Sequence, residues 1–317
     1  MSDSSVSKTH ADPGLSRSKP PDIGPILLTA TAPVVWGTTY IVTTNALPHG
    51  HAMFSALMRT LPAGLIALVV SRQLPRGDWW WKSFVLGGLN MAVFFPLLFI
   101  TAQRLPGGVA ATLGSVQPIV VAFLAIVILQ DALSIWRLFW AVAGVVGIAM
   151  VVLGPEASVD PIGVLTGMTS AASMGLGVVL TKKWGRPRSV SAVGFAGWQL
   201  TAAGLLLVVP ALWVDGVPMI DGPAVAGYLW LGLAGALVSY TLWFSGIYRL
   251  SVTPTALLGL LSPLTAAALG ALIANEAFNV IQLTGFAIAL VARGCPIVCV
   301  WGFGLQVVGE SVGVCHG

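Results

Sequence analysis

Charge is the scarce commodity in this sequence. Only 8% of its residues are Asp, Glu, Lys or Arg, against 56% hydrophobic ones, whereas soluble domains carry about 25% charged residues. A soluble globular domain is excluded on that ground, and the mean hydropathy of +0.91 points to an integral membrane protein. The eleven acidic residues lie in the N-terminal arm, at the ends of apolar runs, in loops or in the tail. None sits midway along a run, which excludes the buried carboxylate relay used by many proton-driven pumps. Histidine is sparse, with His10 in the arm, His49 and His51 in an early loop and His316 in the tail, so no run contains one. Cys295, Cys299 and Cys315 all fall near the C-terminus and form neither a disulfide framework nor a metal signature. An intramembrane enzyme would need a nucleophile with its base, or paired carboxylates, within reach. The apolar body offers neither, so catalysis, a metal and a cofactor are not expected. A pI of 9.2 raises nucleic acid as a partner. However, no basic stripe with interleaved aromatics exists, and nucleic acid is set aside. A channel would need polar rings along several helices, and these runs are too uniformly apolar.

What the sequence does have is long hydrophobic runs. A helix needs about 20 apolar residues to cross the hydrocarbon core, and ten runs qualify as candidates. They lie near residues 26–45, 52–71, 83–102, 107–129 and 136–154, then 160–181, 192–214, 223–247, 253–274 and 280–300. The expected architecture is all-α, a single membrane domain of ten helices behind a disordered arm over 1–25, with a divergent tail over 301–317. The arm has no signal-peptide pattern, so the first span is expected to target the chain. With the N-terminus in the cytoplasm, thirteen of the fifteen basic residues fall inside, leaving Arg104 outside and Arg59 within the membrane; the positive-inside tendency favours this orientation. Trp79, Trp80 and Trp81, beside Lys82, read as an interfacial aromatic anchor.

The two sets of five runs resemble each other. RLPGGVAATLGSVQP (104–118) is echoed by RLSVTPTALLGLLSP (249–263) at a constant offset of 145: Arg104 meets Arg249, Pro118 meets Pro263, and beyond the run Asp131 meets Glu276. A second echo sets WQLTAAGLLLV in the seventh run against the second, with Gln199 opposite Arg59. An odd number of spans per half makes equivalent helices cross in opposite senses, the mark of an inverted-topology repeat. The expected halves are 26–154 and 160–300. A duplicated structural bundle without transport is the plainer reading of the same pattern.

WGTTYI in the first run, ALMR in the second, RLPGGVAATLGSVQP in the fourth and SPLTAAALGALIANE in the ninth resemble the drug/metabolite transporter superfamily, and within it the EamA group of ten-helix bacterial inner-membrane exporters. WGTTYIVTT and RLPGGVAATLG are most similar to its pigment and metabolite efflux branch. The resemblance implies two inverted five-helix halves around a central cavity that exports amino acids, aromatic metabolites or other small organic compounds. It implies roles for Trp36 and Gly37, for Arg59, and for Pro118 and Pro263. The acidic residue ending the fourth span is usually Glu in this group and is Asp131 here; Glu276 keeps the pattern. After Ala292 the sequence departs, with Arg293, Pro296 and all three cysteines where a small and aliphatic tenth helix is expected. The partners implied are a small-molecule substrate and the lipid bilayer, with a homodimer left open.

Arg59 is the residue that most needs an explanation, since a charge deep in a bilayer costs several kcal/mol and marks a functional site by default. It stands seven residues inside its run, within reach of the headgroups by snorkelling. Lining a cavity is the other reading, favoured by Gln199 at matching depth in the other half and by Pro62 three residues on. The remaining cavity candidates are polar or aromatic positions inside apolar runs: Trp36 and Tyr40 one turn apart, Asn90, Gln117, Trp198, Tyr240 and Ser262. Aromatic faces with a few convergent polar groups suit a small-molecule site. Pro118 and Pro263 are hinge or kink candidates. Gly107, Ala110, Ala111, Gly114, Gly232 and Ala236 read as close-packing positions.

Overall fold

A computed structural model describes residues 23–114, 116–129, 135–152, 160–247, 258–259, 261–274 and 278–292. Among these residues every regular element is helical and there is no strand. In lipid that is what the backbone demands, since a helix satisfies its own amides and carbonyls where no water can. The elements are α1 (Ile26–Ala46), α2 (Ala52–Ser71) and α3 (Trp79–Arg104); α4, in two segments, Gly107–Leu113 and Val116–Leu129; and α5 (Ile135–Val152). They continue as α6 (Pro161–Trp184), α7 (Ala192–Asp215), α8 (Gly222–Trp243, its helix running on to Ile247), α9 (Leu261–Ile273) and α10 (Val280–Ala292). Six of these, α1, α2, α3, α6, α7 and α8, are long and apolar enough to cross a membrane.

The expected runs and the observed helices agree closely in the six spans. Differences arise at α4, which is interrupted after Leu113, and at α9 and α10, which are shorter than their runs over the described residues. Asp131, Glu276, the cysteines and the segment after Ala292 lie outside the described residues.

Local signals set several helix starts. Asp160 caps α6, accepting from the Ile162 and Gly163 amides, with Pro161 at the first helical position. Ser191 caps α7 through the Gly194 amide, and Asp221 caps α8 through Ala224. α2 has no such residue of its own: His51 makes no capping bond. Its first-turn amides, Met53 and Phe54, donate instead to the Asp215 carboxylate at the end of α7, at 2.7 and 3.0 Å.

α2 and α7 form the most extensive helix pair and set the frame of the molecule. Gly64 lies against Thr201, Gly204 against Leu61 and Gly197 against Ala67, so numbers fall on one helix as they rise on the other and the two run antiparallel. The crossing depends on missing side chains. A Cβ on Gly64 would stand 2.5 Å from the Thr201 nitrogen, and one on Gly204 2.5 Å from Leu61 Cβ. Without a hydrophobic force between helices in lipid, such close backbone approach is the main source of association. Both ends are tied. Asp215 closes one; at the other, Gln73, just past α2, accepts from the Ser191 amide and hydroxyl at 2.8 and 2.9 Å. The Gln73 carbonyl also accepts from the Trp198 indole at 2.7 Å.

Around this pair α3 and α8 complete a core of Leu57, Met91, Phe95, Phe99, Leu200, Leu231 and Tyr240. The opposite faces of α2 and α7 leave Val69, Val70, Val209 and Trp213 exposed, as lipid-facing surfaces should be. In the tryptophan cluster Trp80 and Trp81 are half exposed, and the Lys82 ammonium lies 5.5 to 6.0 Å from the rings of Trp79, Trp81 and Trp184.

Candidate functional site

α2 carries Arg59 toward α1, α3 and α8 rather than toward a helix end, and the residue is 2% exposed. Its guanidinium lies over the Phe95 ring at 4.3 Å and near Phe99 at 5.9 Å. Nη1 donates to the Thr39 hydroxyl at 3.3 Å and Nη2 to the Gly235 carbonyl at 3.4 Å, while Nε has no partner. Both bonds are longer than the usual 2.7–3.2 Å for such donors. The ion pairs among the described residues are Lys82–Asp78 and Arg104–Asp160, and Arg59 belongs to neither. A cation–π contact recovers roughly 2 kcal/mol when desolvated, short of a full counter-charge.

The Gly235 carbonyl belongs to a stretch of α8, Trp230–Val238, that runs as a π-helix. π-helical turns recur at functional sites. The same oxygen accepts from the Trp36 indole at 3.0 Å, and Trp36 in turn packs on Tyr240 and Trp243 with ring centroids 5.2 and 5.4 Å apart. Beside Trp36, a Cβ on Gly37 would stand 2.6 Å from the Ser262 carbonyl oxygen. The glycine thus lets α9 pass close to α1, while the tryptophan reaches the centre.

A second polar focus lies between α3 and α7. α3 is π-helical over Gly88–Val93, and this segment presents Asn90, whose Nδ2 donates to Gln199 Oε1 at 2.9 Å and lies 3.5 Å from the Thr181 hydroxyl. Asn90 and Gln199 are buried, at 8% and 1% exposure, and each keeps one unpartnered amide atom, Asn90 Oδ1 and Gln199 Nε2. The offset of 145 maps Asn90 onto Gly235, and the second echo maps Gln199 onto Arg59. By these two sequence echoes the contact of Arg59 on α2 with the π segment of α8 corresponds to that of Gln199 on α7 with the π segment of α3.

The other candidates lie elsewhere. Tyr40 lines a cavity of about 220 Å³ with Thr44, Gln103, Arg104, Pro106 and Gly270, and is the one cavity candidate of the nine among its lining residues. At its rim Arg104 Nη1 meets Asp160 Oδ2 at 2.6 Å. That hydrogen bond, with the two amides Asp160 caps, holds its carboxyl below the ordinary value of 3.8. Trp198 points away from Gln199, into a cluster with Trp79 and Phe195. Gln117 and Ser262 are half-buried on α4 and α9. Pro118 and Pro263 each occupy the third position of a helical segment, Val116–Leu129 and Leu261–Ile273. Among the described residues no group of three or more His, Cys, Asp or Glu could hold a metal.

Reading from the sequence misses Thr39, Phe95, Phe99 and Gly235 as members of the Arg59 cluster. Phe95 and Phe99 stand one turn apart, the same spacing that drew attention to Trp36 and Tyr40. Gly235 carries no side-chain signal, and only its offset from Asn90 could have found it.

This fold and these paired foci can be set beside known proteins. The sequence pattern of the EamA-like transporter family matches twice in succession, over residues 23–153 and 161–293. The chain belongs to that family. Protein PecM of Dickeya dadantii is 43% identical over 255 residues, covering 80% of this chain and 86% of its own length. The uncharacterized transporter YvbV of Bacillus subtilis is 27% identical over 233 residues, covering 69% of this chain and 75% of its own. A solved crystal structure superimposes with a TM-score of 0.62 at 17% identity, covering 89% of this chain and 98% of that one, which bears on fold alone. The EamA resemblance expected from the motifs is borne out, and membrane transport is the activity class of the family.

Proposed function

We propose that this chain exports small organic metabolites, amino-acid-like, aromatic or drug-like, across a bacterial inner membrane by alternating access. The N-terminus would be cytoplasmic, and two inverted five-helix halves, 26–154 and 160–300, would enclose one central route. The observation that carries this reading is the pair of counterpart contacts, Arg59 to Gly235 and Gln199 to Asn90, arranged about the antiparallel α2–α7 crossing. Two similar, oppositely oriented halves supply nearly equivalent inward-facing and outward-facing states around one midplane site. In such a carrier Pro118 and Pro263 would serve as matched hinges, and the route would pass the Arg59 cluster. The cavity beside Tyr40 would be an outer vestibule, with the Arg104–Asp160 bridge at its mouth.

The test is untargeted metabolite analysis of cells and medium on overexpression, against an empty vector and the Arg59→Gln variant. A compound enriched outside only with the unmodified chain supports export and implicates the arginine. No enrichment from a chain confirmed to be inserted in the membrane refutes it.

A further inference from the structure

We propose that the transported compounds carry a carboxylate or a similar organic anion on a flat apolar body, and that Arg59 supplies their charge recognition. This rests on the transport reading above and narrows its substrate class.

The first support is an unmatched charge. The Arg59 guanidinium is buried and lies in neither described ion pair. No Asp or Glu of the whole sequence lies in the interior of a predicted apolar run. A buried cation lacking a partner is strongly unfavourable, and an anion arriving from outside the chain would relieve that cost. The second is the state of the donors. A guanidinium offers five N–H groups in a planar fork suited to bidentate carboxylate. Here two bonds are long, at 3.3 and 3.4 Å, and Nε is unpartnered, so an edge of the fork is left for a ligand.

The third support is the wall. Phe95, Phe99, Trp36 and Tyr240 surround the charge. Their flat faces would take an aromatic or aliphatic body while the fork holds its anionic end. A cationic compound would meet like charge in a desolvated site and be rejected. The guanidinium is sealed in this conformation, so the anion reaches it when α3 and α8 part. The counterpart focus, Asn90 with Gln199, has no charge and would read no anion.

The test uses purified full-length protein in phosphatidylcholine nanodiscs, which carry no net lipid charge to compete. Three matched sets serve as probes: phenylacetate, phenylacetamide and phenethylamine; indole-3-acetate, its amide and tryptamine; octanoate, its amide and octylamine. Binding is read from ligand-dependent thermal stability. At least one carboxylate should bind about tenfold more tightly than its amide, with the amine weakest. Arg59→Gln should abolish the preference and leave amide binding in place, and Arg59→Lys, which keeps the charge without the fork, should retain part of it. No carboxylate outbinding its amide, or a folded Arg59→Gln or Arg59→Lys protein with an unchanged ratio, overturns the proposal. Counterflow of the same compounds in proteoliposomes separates the two readings. Movement of amides or amines in preference to carboxylates overturns the anion class and leaves transport standing. Arg59-dependent carboxylate binding with no movement of any compound overturns transport and leaves the anion site.

Discussion

Arg59 and Gln199 occupy matching places on α2 and α7, reach matching π segments and are equally buried, yet only one is charged. Around Arg59 the neighbours are rings, the Thr39 hydroxyl and the Gly235 carbonyl, both at long range; around Gln199 they are another amide at 2.9 Å and the Thr181 hydroxyl beyond it. The Gln199 side pairs one amide with another and leaves one atom of each unpartnered, whereas the Arg59 side seals in a charge that lies in neither of the ion pairs among the described residues. The two successive family matches thus differ in composition at two points, Arg59 against Gln199 and Asn90 against Gly235. Gly235 also leaves room that Asn90 fills: Asn90 packs against the bare Gly177 of α6, whereas a Cβ on Gly235 would lie 3.5 Å from Arg59 Nη2.

The comparison can be broken at its frame first. Gly64→Leu places a branched side chain against the Thr201 backbone and should cost about 3 kcal/mol or more through overpacking, read as loss of the monodisperse folded protein in detergent. Gly88→Ala, where the nearest atom to a new Cβ is Leu206 Cδ1 at 3.5 Å, should fold normally. Next comes the charge. Arg59→Gln, which copies the Gln199 side onto the Arg59 side, should lower transport at least tenfold, about 1.4 kcal/mol in barrier or binding, with insertion and folding intact. Wild-type transport by that variant would mean the two foci differ without consequence.

The amide focus gives a smaller effect. Gln199→Leu leaves Asn90 without its main partner and should destabilise by about 1–3 kcal/mol. The double variant Gln199→Leu, Asn90→Leu should cost less than the sum of the singles, with a coupling of about 1 kcal/mol in a double-mutant cycle. Additive effects would show that the amide pair is not a unit. The smallest effect is at the rim. Because the Asp160 carboxyl titrates below 3.8 when folded, its contribution to stability is present above that value and disappears as pH falls through and below it. The difference in Tm between the unmodified chain and Asp160→Asn should therefore be constant above about pH 5 and shrink toward zero in acid. A difference that grew in acid would reverse the assignment.

Much of this was legible in the sequence, for physical reasons. Apolar runs announce spans because lipid admits little else, so the six long helices fall where hydropathy puts them. Arg59, Asn90 and Gln199 were visible because a polar group inside such a run is costly. The pairing of Arg59 with Gly235 was not, because a glycine that offers its backbone carbonyl has no side chain to advertise it. Trp198 shows the converse limit. It was a cavity candidate as an aromatic inside an apolar run, and its neighbour Gln199 was another, but neighbours on a helix point about 100° apart, and the indole instead serves the Gln73 carbonyl. The capping of α2 by Asp215 was equally hidden, since the two residues it joins are 162 and 161 positions away.

That last contact bears on how the protein is made. α2 emerges from the ribosome early, but the carboxylate that completes its first turn belongs to the last residue of α7, and the glycine faces that seat it wait on Gly197 and Gly204. Until Asp215 has been made, the Met53 and Phe54 amides lack the partner they have in the folded chain. The α2–α7 pair is complete only when residues from both family matches have been made.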